Sequence, residues 1–404
     1  MKKMLLATLM LTLIVSTVYS NLRANAAATR ARAVSNEMLS LMPNADFIVL
    51  IDVGQFLNTR FFSLIGNDAK AKEEFNKFEA DALKYGIDIR QLREVAISGT
   101  NMGGKPGNVQ AIVNGNFDRE KMLAGIAAHP DRISMSSETY NNKTIYLLSE
   151  NRSGKTSKSG GNDSPGLSRR GLPLPYNTDQ FALSFLSSSQ IVIGTLESVK
   201  QTLDVQVGKR PNLLANAQMS QYISSTNAAA PVRFAGVTPD KQKIEAAQGS
   251  QTKKPKVLGN EDINPESNGD QSASSSSSTS TSGEGPNPLG NIEKLFEAVR
   301  GAYGSLDFAT GLRLDTTLLV RSEDEAKQIS DSFIGLIQLG KMMIGGQAQQ
   351  DAKQAKLLEV INQVNVSGQG KDVKIAIDLP EQLLKELFAL LESEQKKTPV
   401  KKVQ

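Results

Sequence analysis

The residues whose spacing most suggests chemistry lie in GTNMGGKPG, 99–107, where Gly99, four residues, and then Gly104-Lys105 match the opening of a phosphate-cradling loop. Such a loop follows a strand and opens a helix, whose free N–H groups hold the phosphates, and a hydroxyl after the lysine holds magnesium. Here Pro106 follows Lys105, and the chain then alternates through VQAIV as a strand does. The stretch is therefore expected to be a hairpin turn, with no nucleotide. His129 is the only histidine, placed before Pro130 where a helix should end, and the chain has no cysteine. Common zinc patterns are thus missing, no G-x-S-x-G elbow precedes a helix, and His129 is expected to serve structure by sitting at the helix's negative end. Asp52 interrupts the apolar run IVLIDVGQFL just before Gly54. A carboxylate in that place either binds something or caps the following segment, and capping is the expectation. No residue is assigned a catalytic, cofactor-binding or metal-binding role, and no enzyme activity or cofactor is expected.

The ends of the chain say more about place than about chemistry. Lys2 and Lys3 precede an uncharged run from Met4 to Tyr19, followed by Ala24-Asn25-Ala26. That is the layout of a cleaved export signal, 1–26, since a comfortable membrane span needs roughly 20 apolar residues. A periplasmic or cell-envelope protein is expected, with membrane contact only if the N-terminal segment stays as an anchor. Without cysteine, no disulfide can staple the exported fold, so its core must suffice. The formal charge of +4 gives no reason to expect nucleic acid as a partner.

The elements that must position any site alternate between strands and helices. ADFIVLIDV (45–53) reads as a buried strand, and 68–86 as a helix ending at Gly86. EVAISG, NVQAIVNG, a helix after Asp118, two strands, a hairpin over 181–194 and a helix follow. The order then recurs: PVRFAGV (231–237), a helix over 292–304 ending in Tyr-Gly, a hairpin, a helix with Ser322 and Glu325 as a capping box, and a strand–turn–strand–helix over 364–391. Matching strands are offset by about the same number of residues once insertions are allowed for. The expected fold is α+β, in two tandem, internally duplicated domains, 38–208 and 209–393. Each is an antiparallel sheet with helices packed on one face, in ferredoxin-like element order with an extra hairpin and helix. Polar, apolar-poor insertions are expected at 149–180 and 241–291, the second Ser-rich and disordered, with a flexible basic tail at 394–404. FIGLIQLGKMMIGG (333–346) is the most apolar helical piece after the signal, expected to pack in the core, with a hydrophobic groove or partner surface as the lesser reading.

LSLMPNADFIVLIDVGQFLN, YGIDIRQLREVAISG, VNGNFDREKMLAGI and GKRPNLLANAQM resemble an uncharacterised group of exported bacterial proteins. In that group a Pro-x-x-(Asp)-hydrophobic strand opens a duplicated α+β domain. The resemblance spans roughly 38–393 outside the insertions; it implies architecture and export, and no functional residue. The functional expectation is a non-catalytic binding or scaffold module of the cell envelope, its partner a protein, peptide or glycan. A carrier of a lipid or other apolar ligand is the alternative, and a carboxylate-dependent hydrolase a less favoured one.

Overall fold

The computed structural model describes residues 36–67, 69–100, 107–128, 133–150, 180–238, 298–348 and 351–397. The expected signal, most of both insertions, the centre of the Gly-rich turn, His129 and the end of the tail lie outside them. After a helical stretch over 36–41 (α1), the elements run in this order. Strand β1 (Phe47–Asp52) leads to helices α2 (Val53–Leu57), α3 (Arg60–Asn67) and α4 (Ala69–Lys84), then β2 (Glu94–Gly99), β3 (Val109–Asn114) and α5 (Arg119–Ala127). Strands β4 (Ile133–Tyr140), β5 (Lys143–Glu150), β6 (Gln180–Phe185) and β7 (Gln190–Gly194) precede α6 (Leu196–Gln206) and α7 (Ala217–Ser224). The rest is β8 (Val232–Val237), β9 (Gly301–Asp307), β10 (Gly311–Leu319), α8 (Glu323–Ala348), α9 (Ala352–Asn362), β11 (Val364–Gln369), β12 (Asp372–Pro380) and α10 (Glu381–Lys397).

The expected α+β class holds, with antiparallel sheets. Nine strands form one sheet in the order β4-β5-β6-β7-β3-β2-β1-β8-β9, and three form another, β10-β12-β11. At the middle, β1 pairs β2 on one side and β8 on the other, with Phe47 opposite Gly236 and Ile51 opposite Val232. Read outward from β1, the order is β2, β3, β7, β6. Read outward from β8, β9 comes next, while β10, β12 and β11 follow one another in the second sheet. The Arg300 N–H donates to Leu319 O at 2.7 Å, tying the start of β9 to the end of β10.

The expected boundary at 208/209 does not divide the structure. The described residues on both sides belong to one compact unit, because β1 and β8 share a ladder and two cores draw on both halves. One core packs Met38 and Leu39 of α1, Val199 and Leu203 of α6 and Met219 and Ile223 of α7 on Ile48, Leu50, Ile112, Val192 and Ala235. On the other face, Phe61 of α3 and Leu384 of α10 meet Val49, Phe234, Leu306 and Phe308. Helices thus cover both faces instead of the single one expected. The alternation Ile48/Val49/Leu50 explains why: both sides of β1 are apolar and buried, so each face requires a lid.

The helix expected over 292–304 is corrected at its end, 292–297 lying outside the described residues. Gly301–Asp307 is strand β9, nearly all buried, and Tyr303 stacks on Tyr222 with ring centroids 5.4 Å apart. A Cβ on Gly301 would come within 2.8 Å of the Tyr222 ring, so the strand brings its glycine where close approach is needed. The apolar spacing that reads as helical is overridden by this tertiary fit. The first insertion is shorter than expected, since Ser149 and Glu150 close β5 and Gln180 opens β6. The tail starts later too, as α10 continues to Lys397.

Gly194 ends β7 where it meets β3, and a Cβ there would lie 2.4 Å from Val109 O and 2.7 Å from Ser198 Oγ. Both atoms are fixed, the first in the backbone and the second by its bond to Val109 O at 3.0 Å. Gly194→Ala is therefore expected to destabilise the protein by about 3 kcal/mol, checked by urea unfolding.

Candidate functional site

Of the residues that suggested chemistry, Asp52 and the flanks of the Gly-rich stretch are described, while 101–106 and His129 lie outside the described residues. The stretch connects β2 to β3, which pair antiparallel from Gly99–Val109 to Glu94–Asn114, so the chain resumes after it as a strand and not a helix. Asp52 is the N-cap of α2: the Gln55 N–H donates to its Oδ1 at 2.7 Å, as expected for a capping carboxylate. Its own N–H donates to Pro231 O at 2.7 Å, so this residue also links the two halves. Ser322 caps α8 by accepting from the Glu325 N–H at 3.2 Å. The reciprocal arm differs from a capping box, because Glu325 Oε2 accepts from the Arg321 N–H.

Asp52, Glu94 and Arg233 line a small void of about 10 Å³ together with Met38, Leu50 and Ala230. That is space for one water at most. Two carboxylates do face one void here, but no substrate fits between them. A second carboxylate group gathers on β9, β10 and β12, where Asp315, Asp307 and Asp378 surround Arg313. The Arg313 Nε–H donates to Asp315 Oδ2 at 2.7 Å, and Asp378 stands opposite Arg313 in the ladder. Burial pushes the Asp315 carboxyl above its ordinary value despite Arg313, with Asp378 and Asp307 adding repulsion. Arg313 is pushed up, chiefly by its bond to Asp315. The pair is lopsided because Asp315 is buried while Arg313 reaches solvent and keeps more of its hydration.

A roomier concavity among the described residues lies under α8. This cavity is a wide-mouthed groove of about 410 Å³, bounded by Phe333, Leu336, Ile337 and Gly340 of α8, Ile361 of α9, Val364 and Val366 of β11, Ile375 and Ile377 of β12, and Leu314 of β10. Its volume falls in the range of small-molecule sites, and every lining side chain is apolar. Three of the elements are held by sequence-local devices: Asp351 caps α9 through the Lys353 N–H, Gly370 (φ 56°) turns β11 into β12, and Lys356 of α9 pairs with Glu386 of α10.

The β6–β7 pair explains why space is left. There Leu183 stands opposite Ile193 and Phe185 opposite Ile191; in β11–β12, Val364 stands opposite Ile377 and Val366 opposite Ile375. Where the first pair carries leucine and phenylalanine, the second carries two valines. Phe185, Leu183 and Ile191 pack solidly on Met122 and Ile126 of α5, with Tyr146 at the edge. Under α8, Val364 and Val366 line the groove. The sequence offers 333–346 as an apolar helix with a hydrophobic groove as the lesser reading, and Phe333, Leu336, Ile337 and Gly340 do line one; the valines of β11 carry no sequence signal of it. The cavity can hold an alkyl or other apolar group by dispersion and exclusion of water, and none of its lining side chains can perform acid–base or nucleophilic chemistry.

Removing the Asp52 cap leaves an N–H of α2 without its acceptor, so Asp52→Ala is expected to cost about 1 kcal/mol in urea unfolding, while the α8 cavity keeps any ligand it binds. For Asp315 the sign follows from its raised value: the folded state holds its proton to higher pH than the unfolded chain does. Its contribution is present at acid pH and lost as pH rises from the ordinary carboxylate value of 3.8 through the folded one. Asp315→Asn lacks that loss, so wild-type Tm should fall relative to the variant as pH rises from about 4. The opposite slope would mean that Arg313 outweighs burial.

No family model matches the chain, and neither does any curated protein. Among solved structures the chain is similar to crystal form I of TP0453, at 10% identity and a TM-score of 0.36, over 87% of this chain and 96% of that one. A likeness that distant carries no argument about function.

Proposed function

We propose that this protein is a non-catalytic binding protein of the cell envelope whose ligand is an apolar molecule held under α8. The observation that carries the reading is the 410 Å³ cavity with an all-apolar lining, set where two valines replace leucine and phenylalanine. A cavity that the same strand arrangement fills elsewhere in the molecule costs contacts, and a bound apolar group restores them. The ligand class is an alkyl chain or an apolar ring, because the lining offers no side-chain hydrogen-bond partner deep in the site. Export rests on the N-terminal layout of Lys2-Lys3, an uncharged run and Ala24-Asn25-Ala26.

The strand orders support a further part of this reading, that the halves descend from one duplicated unit. β1, β2, β3, β7 and β6 correspond to β8, β9, β10, β12 and β11, and α6 and α10 each follow the last strand. What differs lies between: the first half inserts the β4–β5 hairpin, and the second carries α8 and α9. The cavity belongs to that difference. A duplicate that retained its frame and emptied one pocket has the hallmark of a copy turned to binding.

The test transplants the packing of the first half into the second. Wild-type protein is titrated with N-phenyl-1-naphthylamine, an uncharged fluorophore that brightens in apolar sites, and saturable binding is expected. Val364→Leu with Val366→Phe should lower that affinity about tenfold or more while Tm stays level or rises, because filling a void restores contacts. Should the double variant fold poorly, Gly340→Leu fills the cavity from the helix and gains helix propensity. Unchanged affinity in a folded variant of either kind refutes the reading.

A further inference from the structure

Apolar side chains continue round the second half of α8 beyond those that line the groove. Ile334, Leu339, Met342 and Met343 are 36%, 40%, 75% and 69% exposed, and Gln338 and Lys341 are the polar side chains from 333 to 346. By helical spacing Met342 points away from Phe333, Ile337 and Gly340, Ile334 and Leu339 lie to either side of it, and Met343 comes beside Leu336 at the groove's edge. A helix buries its apolar stripe, and here part of that stripe is open to water. We infer that the outer face of α8 docks on the surface of a lipid bilayer, laying its methionines into the headgroup–acyl boundary while the rest of the fold stays in water. For the choice of a bilayer, the inference rests partly on the cavity reading.

Three observations select a bilayer over a protein. First, these four side chains offer on the order of 400 Å² of apolar surface, typical of a functional patch and well short of the ~800 Å² per partner that a stable protein interface buries. Second, the sequence has no carboxylate between Asp331 and Asp351, so nothing on this stretch repels anionic headgroups, and Lys341 can reach them by extending along the interface. Third, the exposed Leu339 and Met343 stand beside Leu336 at the groove's edge, so an apolar ligand passing between a membrane and the groove moves along apolar side chains. Among the described residues no helix is long and apolar enough to cross a membrane, and α8 carries glycines with open space around them at 335, 345 and 346. A shallow, in-plane mode is the one such a helix can adopt.

The experiment is flotation of the full chain with vesicles of phosphatidylcholine, alone or mixed with phosphatidylglycerol. Wild type is compared with Met342→Gln/Met343→Gln and with Met342→Leu/Met343→Leu, so that any contribution from residues 1–26 is common to all three. Both positions are exposed and both replacements favour helix, so folding should survive. The glutamine pair should lower partitioning by about tenfold or more and the leucine pair should keep it. Equal flotation of wild type and the glutamine pair overturns the inference. So does a wild-type dimer in analytical ultracentrifugation that the glutamine pair converts to monomer, because the face then joins two copies. The cavity-filled variant, Val364→Leu/Val366→Phe, separates the two readings: it should still float with vesicles, whereas its loss of fluorophore binding concerns the cavity alone.

Discussion

The pairing of β1 with β8 is the constraint on which the rest of the structure depends. Each strand would otherwise be an exposed edge with an apolar face, a form prone to join other chains. Placed against one another they bury Ile48, Leu50 and Val49 together with Val232, Phe234 and Ala235, each worth up to about 2 kcal/mol for the larger side chains. The ladder also joins the halves in one sheet, with β2 following β1 on one side and β9 following β8 on the other. Asp52 reinforces the seam through its N–H to Pro231 O while its carboxylate starts α2. Both cores are built across this junction, so the halves stabilise each other and neither core is complete without both.

From that frame the cavity follows as a local departure. Strands in matching order present the same isoleucines, Ile191 and Ile193 in one place and Ile375 and Ile377 in the other. What changes is the neighbour's length and the element above. Over β6–β7 lies α5, short and capped by Asp118, with Met122 and Ile126 pressed onto Phe185 and Leu183. Over β11–β12 lies the 26-residue α8, with Val364 and Val366 lining the groove between them.

The same helix carries apolar side chains over the cavity and in water: Phe333, Leu336 and Ile337 line the cavity, while Met342 and Met343 are 75% and 69% exposed. Polar groups nearby serve to hold the frame. Lys356 spans from Glu359 to Glu386, raising its own ammonium's hold on its proton through those bonds and fastening α9 to α10 behind the site. Arg313 and the three aspartates around it likewise tie β10 to its neighbours, next along the strands from the cavity's Leu314 and Ile377.

Local chemistry was legible in the sequence because it depends on near neighbours. Asp52 as a cap, the Gly-rich stretch as a strand connection, and the strand positions of β1, β2, β3, β6 and β7 follow from residues a few places apart. Residues 301–304 were not legible, because their apolar spacing suits a helix and the contact of Gly301 with Tyr222, far off in the chain, decides for a strand. Nor was the single compact unit, since edge strands announce no partner until β1 and β8 meet. The site escaped for the same reason: Val364 and Val366 are ordinary strand residues, and an absence of volume exists only between elements that have packed. The chain alone set its local elements and an apolar α8. Tertiary structure decided which surfaces that helix shares, because burial and empty space are properties of pairs of elements and of no single stretch.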